Sequence, residues 1–167
     1  IGTGGAVISN GVDSPYSHSV YVDPKDSYKL KYFVADRDNH RILIFNTLPS
    51  NNTAAADVVI GQTNLTTGGA TAVNAGGAIG DLGFNQPIHA SVSGSGVLFV
   101  TDLMNNRVLV YNQIPQAHGA AANYVIGQLL FTTGTINNSG LATAAQLNSP
   151  AVASVIQNKL YIADQAN

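Results

Sequence analysis

Three aspartates stand at one repeated place in this chain, and they are the first residues to weigh for chemistry. Asp36 ends Tyr32-Phe-Val-Ala-Asp36, Asp102 ends Leu98-Phe-Val-Thr-Asp102, and Asp164 ends Leu160-Tyr-Ile-Ala-Asp164. An asparagine follows three residues later in each copy (Asn39, Asn105, Asn167), and an arginine two after that in the first two (Arg41, Arg107). Carboxylates and guanidiniums repeated in register could line a channel with charge. They could equally tie each turn to the next strand by hydrogen bonds and ion pairs. A reacting group is rarely needed at the same place in every repeat. Asp36, Asn39, Arg41, Asp102, Asn105, Arg107, Asp164 and Asn167 are therefore expected to be a structural framework.

The other candidates are weaker. His18, His40, His89 and His118 do not recur at one position. A zinc site needs imidazoles converging at about 2 Å from one ion. His18 and His89 are one residue out of register counted from Pro15 and Pro87, so they should point to opposite sides of their strands. Asp36-Arg-Asp38-Asn39 lacks the glycine and the distal glutamate of an EF-hand loop. Gly94-Ser-Gly96 reads as a hairpin turn, because a nucleophile elbow needs a strand–turn–helix setting. Gly68-Gly69 and Gly76-Gly77 lack the lysine and following helix of a phosphate loop. Tyr16, Tyr21 and Tyr28 could stack on sugars or bases, but half-buried strand positions explain them as well. No catalytic residue, metal ligand or cofactor site is expected.

The elements that must position the framework follow from the repeat. Copies are spaced by 66 and 62 residues, and self-similarity at such a period marks a repeat architecture. Each copy opens at a proline (Pro15, Pro87, Pro150), which is acceptable at a strand's first residue. First strands are expected at 15–20, 87–92 and 150–155. A turn follows at 93–96 and 157–159, and a longer excursion at 21–31. Second strands are expected at 32–35, 98–101 and 160–163. Turns follow at 36–39 and 102–105, since Asp and Asn hydrogen-bond their own backbone and tolerate left-handed φ. Third strands at 41–45 and 107–111 are apolar on both faces, which suits burial on both sides. Outer strands are expected at 56–61 and 123–127. The polar, glycine-rich connections 3–14, 63–86 and 129–149 each carry an apolar residue three before the proline (Val12, Phe84, Leu147), read as plugs onto the core. A single helical turn is expected near 142–147.

The unit is thus four short antiparallel strands, and repetition of it makes a β-propeller. A strand ending in Asp, then x-x-Asn-x-Arg, then an aliphatic strand resembles NHL repeats; Asn39-His40-Arg41-Ile42-Leu43 nearly spells the signature. The proline-led first strand and the closing Val-Ile-Gly-Gln at 59–62 and 125–128 resemble bacterial, often secreted, NHL-repeat proteins. The resemblance covers nearly the whole chain. It implies an all-β propeller of four-stranded blades, with one blade at 15–62, a second at 87–128 and half of a third at 150–167. The ring is incomplete, since such propellers usually close with six blades. The chain is therefore expected to be a piece of a longer protein, or to be completed by another subunit at both flanks.

Function follows less directly. Charged residues are 10% of the chain and the formal net charge is -2, against the basic face that a nucleic-acid binder needs. The longest apolar runs are too short to span a bilayer. There is no cysteine, so disulfides and thiolate sites are excluded. Three Asn-x-Ser/Thr acceptors, at Asn51, Asn64 and Asn137, are what so Asn- and Thr-rich a chain gives by chance. The leading expectation is a non-enzymatic binding or scaffold module, extracellular or at a cell surface, with a protein or glycan ligand on the face that carries the long connections. The resemblance also implies an alternative: some NHL-like propellers, such as the lyase of peptide amidation, hold zinc on histidines from several blades. A propeller lyase or hydrolase with a channel metal is that alternative, and a structural, filament-associated role completed by other chains is another.

Overall fold

The computed structural model describes residues 11–24, 26–51 and 53–167. It is all-β, with three antiparallel sheets in chain order. Sheet one runs β1 (Pro15–Asp23), β2 (Lys29–Asp36), β3 (Arg41–Phe45) and β4 (Val58–Ile60), each strand pairing with the next. Sheet two repeats the order with β5 (Pro87–Val92), β6 (Leu98–Asp102), β7 (Arg107–Tyr111) and β8 (Tyr124–Ile126). Sheet three holds β9 (Pro150–Ile156) and β10 (Lys159–Asp164). The register repeats with the sequence: Asp36 faces Arg41, and Asp102 faces Arg107. Leu98 pairs with Tyr111 and Val100 with Leu109, as the repeat requires.

Several expectations are corrected. Residues 21–31 are mostly strand, because Tyr21 pairs with Lys31 and Asp23 with Lys29, leaving only a tip around Pro24. The outer strands are shorter than expected, three residues each. At 142–147 the chain makes one hydrogen-bonded turn, Gln146 N–H donating to the Thr143 carbonyl at 3.2 Å, and no longer helix; short 3-10 turns also lie at Val73–Gly76 and Ile136–Ser139, inside the long connections. The Asp–Asn turns are 3-10 as well, at Arg37–Asn39 and Leu103–Asn105, and the left-handed residue is the one after each asparagine, His40 and Asn106. Among the described residues no helix is long and apolar enough to cross a membrane.

The sheets pack face on face. Alternation along a strand sends successive side chains to opposite faces, so Phe33, Ile42 and Ile44 of sheet one meet Leu98, Val100 and Leu109 of sheet two in one buried cluster. Each such side chain contributes about 1.5–3 kcal/mol on burial. Sheet two turns its other face to sheet three, where Val108, Leu147 and Ala153 form a second cluster. The third strands are buried along their whole length.

The first strands of successive sheets run side by side, joined by hydroxyls. Ser17 donates to the Ile88 carbonyl at 2.5 Å and Ser19 to the Ala90 carbonyl at 2.6 Å. Ser91 donates in the same way to the Ala153 carbonyl at 2.5 Å. The edge of β4 is covered by the connection after β7. Gly119 N–H donates to the Val59 carbonyl, and His118 Nδ1 accepts the Val59 N–H at 3.2 Å. An open strand edge would otherwise template pairing with another chain.

Candidate functional site

The repeated aspartates lie at the end of each sheet where the long connections leave and return. Asp36 and Asp102 are fully buried, as are Arg41 and Arg107. Each carboxylate meets three donors from three places in the chain. Arg41 Nε donates to Asp36 at 2.6 Å and Arg107 Nε to Asp102 at 2.7 Å. Asn39 Nδ2 donates to Asp36 at 3.0 Å and Asn105 Nδ2 to Asp102 at 2.8 Å. A backbone N–H from the segment entering the first strand adds a third bond: Asp13 to Asp36 and Asn85 to Asp102, both 2.7 Å. Asp164 takes the corresponding bonds from Asn167 Nδ2 and from Asn148 N–H.

The arginines extend the cluster outward. Arg41 Nη1 donates to the Leu65 carbonyl at 2.5 Å and Nη2 to the Gly11 carbonyl at 2.6 Å. Arg107 does the same to the Phe131 carbonyl at 2.6 Å and the Gly83 carbonyl at 3.0 Å. Arg41 and Arg107 thus each fasten the connection that enters their sheet and the one that leaves it. The planar fork of guanidinium donors suits this task, and lysine could not replace it. Burial raises the Asp102 carboxyl above its ordinary value, against the pull of Arg107, Asn105 and the Asn85 N–H. Burial likewise raises the Tyr111 hydroxyl, with Asp102 adding to the shift. Groups enclosed in this way are fixed in place and closed to a substrate.

The connections share further devices. Phe84 packs over Gly61, and Leu147 over Gly127, so both residues sit on the core as plugs. Val12 does not, being 47% exposed. Asn74 and Asn137, both with positive φ, donate their N–H to the Phe84 and Leu147 carbonyls at 2.8 and 3.1 Å. Their side chains then reach the framework: Asn74 accepts from Asn105 at 2.8 Å, and Asn137 exchanges two bonds with Asn167. Gln62 Nε2 donates to the His40 and Ala72 carbonyls, and Gln128 Nε2 to the Asn106 and Thr135 carbonyls. Sequence reasoning missed Asn74, Asn137, Gln62 and Gln128 as framework members. The recurring Gly-Gln pairs were the available signal for the glutamines.

The histidines are dispersed. His18 stacks beside Tyr32, ring centroids 5.7 Å apart, on the face of sheet one that points away from sheet two. His89 lies on the opposite side of its own sheet, toward sheet three, and burial lowers its pKa. His40 Nδ1 accepts the Gln86 N–H at 3.0 Å. Among the described residues no three His, Cys, Asp or Glu side chains converge. Asp38, in the turn weighed as a calcium loop, pairs with Arg37 at 2.9 Å, which lowers its pKa. Tyr16 and Tyr28 are exposed and Tyr21 is buried, and Ser93–Val97 closes the hairpin at Gly94-Ser-Gly96.

One accessible concavity belongs to a long connection. Thr63, Thr66, Thr67 and Thr71 surround Gly68 in an open depression of about 350 Å³. It is rich in hydroxyls, and the titratable groups of the framework do not line it. Comparison of the chain with protein-family models and with curated proteins finds no match.

Proposed function

We propose that the three sheets are successive blades of a β-propeller of the NHL type. In this reading the protein is a non-enzymatic binding or scaffold module, extracellular or at a cell surface. The observation that carries the proposal is the buried Asp–Asn–Arg cluster, which turns the chain's repeated charged groups inward and uses them to hold the long connections. A binding face gains from such rigidity, because ordering a loop on binding costs affinity. Repeat insertions gather on one face and commonly form the binding surface. The ligand is a protein or glycan, recognised through hydroxyl and amide groups of residues 63–86 and 129–149.

Array binding with immobilised glycans and secreted proteins tests this. Thr71→Arg should abolish the hits while leaving the melting temperature within about 2 °C, as expected of a surface substitution. Hits that survive Thr71→Arg and matching substitutions in 129–149, or turnover of a bound probe, would overturn it.

A further inference from the structure

The hairpin of sheet one is longer than the repeat requires. Beyond the pair Val20–Tyr32 it adds three cross-strand pairs, Tyr21 with Lys31, Val22 with Leu30 and Asp23 with Lys29. Sheet two turns at Ser93–Val97, straight after its corresponding pair Val92–Leu98. Sheet three adds only Ile156 with Lys159. The framework residues recur because the architecture recurs. This extension departs from the repeat, and insertions of that kind commonly build the binding surface of a repeat protein.

Its side chains are placed the wrong way round for plain packing. Tyr21 faces sheet two and joins the buried cluster there. Cross-strand partners share a face, as do residues two apart on one strand, so Lys31 and Asp23 face sheet two as well. Val22, 46% exposed, takes the opposite face. An overhang that only covered sheet two would turn the valine inward and the charges outward.

Between the overhang and sheet two lies an open concavity of about 270 Å³, at the end of the sheets away from the Asp–Asn–Arg cluster. Tyr21, Asp23 and Lys31 line it from sheet one, and Ser95, Gln113 and Ile114 from sheet two. Lys31 Nζ donates to Asn46 Oδ1 at 2.6 Å, which engages one of its three donors and fixes the ammonium. The Asp23 carboxylate only accepts, the Lys31 ammonium only donates, and the Gln113 amide and Ser95 hydroxyl do both. The two charges cancel, so an ion of either sign gains no net attraction. A sugar hydroxyl donates and accepts at once, and it can use both charged groups in charge-assisted bonds. Ile114 adds an apolar patch for the C–H face of a ring. The volume is just below the roughly 300–1,000 Å³ of pockets for drug-sized ligands, which suits one ring.

We infer that this concavity is a saccharide site for a single pyranose ring, whose hydroxyls donate to Asp23 and accept from Lys31 and Gln113. It is separate from the binding face assigned to residues 63–86 and 129–149 and does not rest on it.

Amide-resolved NMR titration of the full chain tests it, with glucose, galactose, mannose and N-acetylglucosamine, and with glycine as a zwitterion. At least one sugar should shift the amides of Asp23, Gly96 and Gln113 saturably, with a Kd of about 1–10 mM, as a dozen heavy atoms of ordinary efficiency give. Gln113→Ala should weaken binding about fivefold, the worth of one ordinary hydrogen bond, and Asp23→Ala at least about tenfold, since its bond is to a charged group. Thr71→Arg, in the other depression, should leave the shifts unchanged. Melting curves verify that the variants fold, and Asp23→Asn, which keeps the shape and removes the charge, serves if Asp23→Ala does not. No saturable shift with any sugar up to about 50 mM, shifts that Thr71→Arg removes, or tighter binding of glycine than of every sugar would overturn the inference. Retained shifts with no array hits that depend on Thr71 would reject the reading of the connections and leave this site standing.

Discussion

The Gln86 N–H donates to His40 Nδ1 at 3.0 Å, joining the turn of sheet one to the strand that opens sheet two. At the next junction the Ser149 N–H donates to Asn106 Oδ1 at 2.9 Å. His40 and Asn106 both have left-handed backbones, with φ of 54° and 52°. One junction therefore uses a titratable acceptor where the other uses an amide. An imidazole accepts at Nδ1 only when that nitrogen is unprotonated.

The first prediction concerns acid. Burial lowers the His40 pKa from 6.5, partly offset by Asp38 and Asp36. The folded pKa thus lies below the unfolded one. As pH falls through about 6.5 the unfolded chain takes up the proton first, and folding stability declines until His40 itself protonates. His40→Asn should change stability by under about 1 kcal/mol at pH 7.5, since asparagine suits both the backbone and the bond. It should also flatten the decline between pH 7 and pH 5, leaving the decline that belongs to His89 and the opposite contribution of the carboxyls of Asp36 and Asp102, which burial raises. Urea titrations at both pH values measure this; an unchanged slope in His40→Asn contradicts it.

The second concerns the plugs. Gly127 has φ of +91°, and a Cβ there would stand 2.5 Å from Leu147 Cδ1. Gly127→Ala meets both backbone strain and the plug, and it should cost about 2–4 kcal/mol. Combined with Leu147→Ala, the loss should be smaller than the sum of the two, because the collisions with Cδ1 and Cγ are removed and only that with the Cβ of residue 147, at 2.8 Å, remains. Strict additivity in thermal denaturation would show that the plug is not what excludes the side chain.

The third concerns the junctions between sheets. Ser91→Ala removes the donor to the Ala153 carbonyl and should cost about 1 kcal/mol. Amide exchange should rise in 150–164 and stay unchanged in sheet one. A uniform rise across all three sheets would mean that the hydroxyl does not act at that junction.

Much of the fold was legible because the repeat makes weak local signals agree. The apolar run at 107–111, the Asp102 turn and the opening Pro87 each mean little alone, but each recurs in register. The excursion at 21–31 was misread because Pro24 and its charged neighbours look like a loop, while cross-strand pairing from Tyr21 to Asp23 carries the hairpin further. Val12 shares its spacing with Phe84 and Leu147, yet it is exposed. The roles of Asn74 and Asn137 were hidden because they depend on left-handed backbone and on partners about 30 residues away. The junction acceptors His40 and Asn106 were hidden because an imidazole and an amide do not look alike in sequence.

Thermal denaturation of Arg107→Ala, with hydrogen exchange on the same protein, tests the central claim most directly. The claim is that the buried Asp–Asn–Arg cluster holds the long connections and does no chemistry. Removing Arg107 leaves the Asp102 carboxylate buried without its cation, at a cost of about 3–5 kcal/mol. That corresponds to a fall of roughly 10 °C in a chain of this size. Exchange should rise first in 63–86 and 129–149, which lose the bonds to Gly83 and Phe131. Array hits retained by the folded variant, weakened only as far as the loosened connections must be reordered on binding, complete the expected result. An unchanged melting temperature together with lost binding would contradict the account and place Arg107 in the binding site.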